Sequence, residues 1–268
     1  MNRLSDPMGD NPPTRALPKA KNVIAIASGK GGVGKTWFSI TTAQALAAKG
    51  KKVLLFDADL GLANVHIQLG HVSDRDLGAV LAGRMRLRQA ASRVEECGFD
   101  LIAGRSGSGS LANIPSNRLV SLRNELMALS QKYDVVLLDL GAGVERTVRM
   151  LSAQAGRYLM VTTDEPTALT DAYAFIKLTY GMDAQADIRL VINMAENARE
   201  GEATYQTLLK ACKGFLDLSP RMAGVIRRDS RVKDSIRGQT PILTKYPNSK
   251  AGTDVRAIAE KILRELGG

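Results

Sequence analysis

The sequence predicts an α/β protein: a single domain on a mostly parallel sheet of about seven to eight strands, with helices on both faces. Three observations predict it. Short β-branched or leucine-rich runs alternate with longer segments of helical period, the pattern of successive βαβ units. Several of the runs are apolar along their whole length, as strands covered on both faces must be. A glycine-rich loop bearing two lysines, "SGKGGVGKT" (28–36), lies between the first run and the first helical pattern.

The elements follow in order. "NVIAIA" (22–27) reads as the first strand, and a helical pattern runs over 37–49. "KVLLFDAD" (52–59) and "FDLIAG" (99–104) are the next strands, and residues 116–131 form a helix. "YDVVLLDL" (133–140), "RYLMVTT" (157–163), "IRLVINM" (188–194) and "MAGVIRR" (222–228) complete the strands, with helices over 167–180 and 199–214 between them. The last helix, 250–266, carries Val255, Ile258, Ala259, Ile262 and Leu266 on one stripe, the signature of core packing. Residues 1–21, rich in Pro, Asn and Asp, read as a flexible lead-in to a domain spanning 22–268, and "GRSGSGS" (104–110) reads as a mobile loop.

Composition bounds the function. With 268 residues the chain can bury one sizeable core. No apolar run approaches the ~20 residues of a membrane span, which points to a cytoplasmic protein, at most peripheral at the inner membrane or the cell pole. Cys97 and Cys212 form no CxxC pair, so neither a zinc knuckle nor a redox motif is supported. His66 and His71 lack partners at metal-ligand spacing and read as surface residues. A formal net charge of +10 invites an anionic partner. Two basic clusters stand out: Arg84, Arg86, Arg88 and Arg93, and Arg221, Arg227, Arg228, Arg231, Lys233 and Arg237.

Gly29 to Thr36 matches G-x-x-x-x-G-K-[ST] in the right context, after a strand and at the start of a helix. Glycines at this spacing let backbone N–H groups close around phosphate oxygens at a helix N-terminus. Lys35 then reaches the β- and γ-phosphates of ATP, and the Thr36 hydroxyl binds Mg²⁺. Gly29, Lys30, Gly31, Gly32, Val33, Gly34, Lys35, Thr36 and the adjoining Trp37 make up the nucleotide-binding set of this segment.

Lys30 needs an explanation of its own, because one lysine suffices for the phosphates. "KGGVGKT" resembles the deviant Walker A motif of the MinD and ParA class of ATPases. The resemblance implies a homodimer with ATP sandwiched at the interface, in which Lys30 reaches the partner's nucleotide and ATP binding becomes linked to dimerisation. It implies further that Asp59, in "FDADLGLAN" (56–64), orients the attacking water, with Lys30 and Lys35 completing the catalytic set. Asp57 would support Mg²⁺ and the loop, and Asp139, in "VVLLDLGAG" (135–143), looks like the Walker B acid that holds the Mg²⁺ water shell. Asn193 matches the position that contacts adenine, and Asp229 falls near the base, although Arg227 stands where the family has proline. The implied activity is slow ATP hydrolysis used as a switch.

"TTDEPTALTDAYAFIKL" (162–178) is similar to the corresponding run of the flagellar-number ATPases FlhG and FleN, and "YPNSKA" (246–251) fits the same group. This implies control of flagellar number or placement, with a C-ring component or a flagellar transcription activator as partner. Two departures weaken the transfer of FlhF partnership and membrane association: residues 1–22 lack the family's Asp-Gln-Ala motif, and the chain stops at "ILRELGG" without the amphipathic extension. The alternative is a partition or division-site ATPase that binds non-specific DNA or a membrane, with the basic clusters gripping phosphates.

Overall fold

The computed structural model describes residues 19–104 and 114–267. Residues 1–18 of the lead-in and most of the glycine-serine loop therefore lie outside the described residues, while Ala20 and Lys21, expected in the lead-in, belong to the first strand. Eight strands form one sheet in the order β3-β4-β2-β5-β1-β6-β7-β8. They are β1 (Ala20–Ala27), β2 (Val53–Ala58), β3 (Ser92–Val94), β4 (Phe99–Ile102), β5 (Val135–Leu140), β6 (Ala155–Thr162), β7 (Ile188–Ala195) and β8 (Arg221–Arg227). All neighbours pair in parallel except β3 with β4.

Parallel strands need crossover helices on the faces, and the buried strand residues divide between two cores with the two-residue period of a strand. In β1, Val23, Ala25 and Ala27 enter one core, while Ile24 and Ile26 enter the other. Against the first core lie α3 (Leu77–Leu81), α4 (Leu87–Ala90), α5 (Ser116–Ser130), α6 (Arg146–Ser152), α7 (Pro166–Met182) and α8 (Ala198–Leu216). Against the second lie α1 (Lys35–Ala47), α2 (Val65–Gln68), α9 (Ser230–Arg237), α10 (Ile242–Lys245) and α11 (Lys250–Leu266).

Each strand expected from the sequence is present, and β1 starts two residues early, at Ala20. The antiparallel edge strand β3 and the short helices α2, α3, α4, α6, α9 and α10 go beyond the sequence-based expectation. Their lengths, from three to eight residues, are too short to display a period. Local capping holds several of them instead. Asp76 accepts from the Ala79 N–H at 2.7 Å to start α3, and Glu125 on α5 accepts from the Leu87 N–H at 3.1 Å at the start of α4.

Two surface readings change. His71 is half-buried, with Nε2 3.0 Å from Ser92 Oγ, and burial holds the half-buried His66 below the usual histidine range against the opposing pull of Asp76. Three of the six members of the second basic cluster are occupied: Arg227 makes a forked pair with Asp254 at 2.8 and 2.9 Å, Arg228 pairs with Glu196 at 3.1 Å, and Arg231 lies over the Tyr246 ring.

Candidate nucleotide site

The strand order puts β2, β5 and β1 side by side at the centre of the sheet. The order of strand addition reverses there, since β2 and β4 lie to one side of β1 and β6 to the other, all parallel. The crevice beyond the strand ends at such a point is where open α/β sheets bind ligands. A cavity of about 690 Å³ opens at this place. Ser28, Gly31, Gly32, Gly34, Lys35 and Thr36 line one part of it, Asp59, Gly61, Gly141 and Glu145 a second, and Asn193, Met194, Asp229 and Val232 a third.

The loop after β1 has the conformation its glycines permit. Gly32 and Gly34 have φ of 83° and 87°, a region that side chains disfavour, and Gly34 leads directly into α1. A Cβ on Gly29 would come within 2.3 Å of the Asp171 backbone, so this glycine lets the loop lie against the first turns of α7. Backbone N–H groups and the N-terminus of the 13-residue α1 thus converge on the cavity, an arrangement suited to phosphate.

Lys35 is buried, and its Nζ donates to Asp139 Oδ1 at 3.0 Å; Ser39 Oγ donates to the same oxygen at 2.8 Å. The second carboxylate oxygen, Oδ2, is buried with no partner among the described residues. An ammonium carries three donors, so Lys35 has two left for phosphate oxygens. The buried Thr36 lines the cavity, and the orphaned Asp139 oxygen gives a hydrated Mg²⁺ an acceptor beneath it. The residues present therefore fit a magnesium nucleotide.

Asp57 lies at the end of β2 in register with Asp139 on β5. Its Oδ2 accepts from the N–H groups of Asn64 and Val65, each at 3.1 Å, and its Oδ1 from Asp59 N–H at 3.3 Å. These bonds fold the segment 59–64 back and start α2. Burial, and next the charge of Asp139, push the Asp57 carboxyl up to about 7 despite the bonds from Val65 and Asp59 and the charge of Lys35. Asp57 does not line the cavity; Asp59 does. The strand ends at Ala58, so Asp59 turns out into the cavity, where its Oδ1 accepts from Leu62 N–H at 2.9 Å and faces Gly141.

Asn193 Nδ2 donates to the Val33 carbonyl at 2.8 Å and its Oδ1 accepts from Met194 N–H at 2.9 Å. One N–H and one lone pair of the amide are left over. Asp229 caps α9 by accepting from Arg231 N–H at 3.0 Å and lines the same part of the cavity, with the buried Trp37 alongside. Gly29, Val33 and Asp139 are not among the lining residues, and Lys30 is turned elsewhere. It does not line its own cavity; its Nζ donates to Glu165 Oε2 at 2.7 Å and Thr167 Oγ1 at 2.9 Å at the start of α7. Glu165 is held below the ordinary glutamate range by that bond and by the lysine charge.

Glu145, Met194, Arg228 and Lys233 also line the cavity, and no motif in the sequence assigns them to it. Met194 has φ of 60°, a conformation that nothing around it announces. Lys233 and Arg228 stand out in the sequence only as members of a charge cluster. Both cysteine thiols are buried, and desolvation pushes Cys97 up to about 12 and Cys212 to about 11, which leaves them inert.

Comparisons with known proteins agree with this geometry. Residues 24–242 match the CbiA family, the CobQ/CobB/MinD/ParA nucleotide binding domain. The chain is 37% identical over 240 residues to the antiactivator FleN of Pseudomonas aeruginosa, covering 90% of this chain and 85% of that one. It is 32% identical to the flagellum site-determining protein YlxH of Helicobacter pylori, covering 91% and 82%. Its fold superposes on the septum site-determining protein MinD of Pyrococcus horikoshii, solved with Mg-ADP, with a TM-score of 0.77 at 26% identity, over 93% of this chain and 98% of that one. A cavity at the centre of a parallel sheet, with a phosphate loop after its first strand and a buried acid on the neighbouring strand, is thus accounted for: the chain belongs to the CobQ/CobB/MinD/ParA nucleotide-binding family.

Proposed function

We propose that the chain is an ATP-driven dimerising switch that hydrolyses ATP slowly and sets flagellar number or placement. The observation that carries the switch is the position of Lys30. Its side chain points away from its own cavity and rests on Glu165 and Thr167, which suits a group whose destination is the nucleotide of a second copy. On this reading residues 22–268 act as one ATPase unit, and ATP closes two copies around the bound nucleotides.

Within each site, the loop over 29–36 and the first turn of α1 hold the phosphates, and Lys35, still bonded to Asp139, offers its two remaining N–H donors to the β- and γ-phosphate oxygens. Thr36 and, through water, Asp139 would hold Mg²⁺, which when bound would supply positive charge against the phosphates. Asp59 orients the attacking water from its place opposite Gly141, while Asp57 holds the loop that carries Asp59. Asn193 offers its remaining N–H and lone pair to the adenine edge, with Asp229 and Trp37 beside it.

The flagellar assignment rests on similarity to FleN and YlxH along nine-tenths of the chain. It points to a C-ring component or a flagellar transcription activator as the partner that reads the dimer, in the cytoplasm at the pole or the inner membrane. No helix among the described residues is long and apolar enough to cross a membrane.

Light scattering after gel filtration with Mg-ATP tests the switch. Asp59→Ala should accumulate as a dimer, because hydrolysis no longer releases it. Lys30→Ala should stay monomeric while binding nucleotide with little change. A monomeric Asp59→Ala protein or a dimeric Lys30→Ala protein overturns the assignment. For the biological role, flagella are counted in a deletion strain. Extra polar flagella support the reading, and normal flagella with minicells or anucleate cells move the protein to division or partition.

A further inference from the structure

Three side chains that line the nucleotide cavity each bury a polar atom with no partner among the described residues: Ser28 Oγ, Trp37 Nε1 and Gln68 Oε1. Buried donors and acceptors are nearly always bonded, so each of these atoms marks a place for a group from outside the chain. Ser28 stands at the phosphate end, where the chain leaves β1 for the glycine loop. The other two stand elsewhere. Trp37, the only tryptophan of the chain, lies on the first turn of α1 and is 5% exposed. Gln68 ends α2, which packs against α1. Val232 and Ile236 of α9 line the same cavity, and Gln239, just past α9, donates to the Ile67 carbonyl at 3.0 Å and so ties α9 to α2. The three helices thus wall one lobe.

The place of this lobe selects the part of a nucleotide that enters it. On the reading above, the phosphates belong to residues 29–36 and the base to Asn193 and Asp229, and Gly34 joins the two regions, since a Cβ on it would fall 2.4 Å from Asn193 Nδ2. The sugar links phosphate to base and therefore passes the first turn of α1, where Trp37 follows Gly34 by three residues on the same face. Chemistry narrows the choice further. An indole N–H only donates and a carboxamide oxygen only accepts, so a phosphate oxygen would answer the first and repel the second. A hydroxyl donates and accepts at once, and one sugar hydroxyl answers both. Neither orphan atom reaches bulk water, but Gln68 is half-buried and makes no side-chain bond among the described residues, so it can turn to admit the sugar.

We propose that Trp37 and Gln68 read the sugar of the bound nucleotide: the Trp37 indole N–H donates to a ribose hydroxyl, which donates in turn to Gln68 Oε1, and the site prefers ribonucleotides to nucleotides without those hydroxyls. This inference rests on the reading of the cavity as a nucleotide site. It adds a selectivity that the phosphate loop cannot supply, because the phosphates of both kinds of nucleotide are the same.

The test is calorimetric titration of the full chain with Mg-ADP and with Mg-2′,3′-dideoxy-ADP, diphosphates that keep ATP-linked dimerisation out of the measurement. The wild type should bind the dideoxy nucleotide roughly tenfold more weakly, because that sugar leaves the donor and the acceptor unmet. Trp37→Phe keeps an aromatic ring without the N–H, and Gln68→Leu keeps the bulk without the acceptor. Each should weaken ADP and leave dideoxy-ADP near its wild-type affinity, so that the ratio shrinks to about threefold or less. Retained binding of dideoxy-ADP shows in the same titration that the variant is folded. A wild-type ratio near one overturns the proposal, and so does a ratio that neither variant changes. Equal weakening of both nucleotides by both variants also overturns it, because the side chains then support the pocket without reading the sugar. Binding of neither nucleotide by the wild type is a distinct result: it overturns the nucleotide reading itself, and the proposal with it.

Discussion

At the scale of single residues, the phosphate loop is legible in the sequence because its chemistry is local: backbone N–H groups, a lysine and a hydroxyl within eight consecutive positions. The cis partners of Lys30 are not legible. Glu165 lies 135 residues away, and nothing in either segment says that the chain brings them to 2.7 Å. Asp57 and Asp59 read as two carboxylates pointing the same way, yet the strand ends between them, and the two oxygens of Asp57 hold three N–H groups. Gly34 offers a sharp test of the loop. It has φ of 87°, and a Cβ there would fall 2.4 Å from Asn193 Nδ2. Gly34→Ala should cost roughly 1–2 kcal/mol from the left-handed backbone alone, a fall in Tm of about 2–8 °C, and should displace the Asn193 amide from Val33. Gly31→Ala, where a Cβ meets nothing within 4 Å, is the matched control and should change Tm little. Thermal melts and calorimetric titration with ADP check both, with nucleotide affinity reduced in Gly34→Ala.

At the scale of elements, the long helices and the parallel strands announce themselves through period and apolar runs. The expected helix over 250–266 coincides with α11, Lys250–Leu266. The short elements do not, since a four-residue helix such as α2 exists because Asp57 receives its first N–H groups, which is a tertiary fact. The C-terminal end of α11 is secured in a similar way. Glu265 accepts from Arg157 at 2.9 Å and from Arg189, and both guanidiniums share Asp187. The arginines are 10% and 7% exposed, so two nearly buried cations depend on two carboxylates, and Arg189 is held above its usual range even against desolvation. Glu265→Ala leaves one carboxylate for two cations. Discounting for the partial exposure of Glu265, it should destabilise the protein by about 2 kcal/mol, roughly 4–8 °C in Tm. Glu260, on the same helix, is the comparison: it makes an exposed pair with Lys49 in the turn after α1, and Glu260→Ala should shift Tm far less. Equal losses would show that the network does not anchor the helix.

At the scale of the whole molecule, the sequence discloses the total charge but not its arrangement. In the Arg84–Arg93 run, for example, Arg93 is taken by Asp100 at 3.2 Å. The interior carries the complementary feature: Asp57 and Asp139 occupy paired positions on adjacent central strands, both fully buried. With its carboxyl pushed to about 7 by burial and by Asp139, Asp57 keeps its proton in the folded chain at pH values where an unfolded aspartate, at 3.8, has lost it. The folded state therefore binds more protons between those limits, and stability must fall as pH rises through that window. Below about pH 4 both states are protonated and this contribution is complete; above about 7 it is fully lost. Many other carboxylates titrate in the same interval, so the comparison has to be with Asp57→Asn, which keeps a carbonyl acceptor and cannot ionise. Their Tm values are compared without nucleotide from about pH 4 to 8, the window that the shift defines. The difference, variant minus wild type, should climb steadily from about pH 4 to about 7 and level off beyond, because only the wild type loses stability by ionising at this position. A difference that stays constant across the range would mean that Asp57 is already ionised at its low end, and that the bonds from Asp59, Asn64 and Val65 outweigh burial and the charge of Asp139.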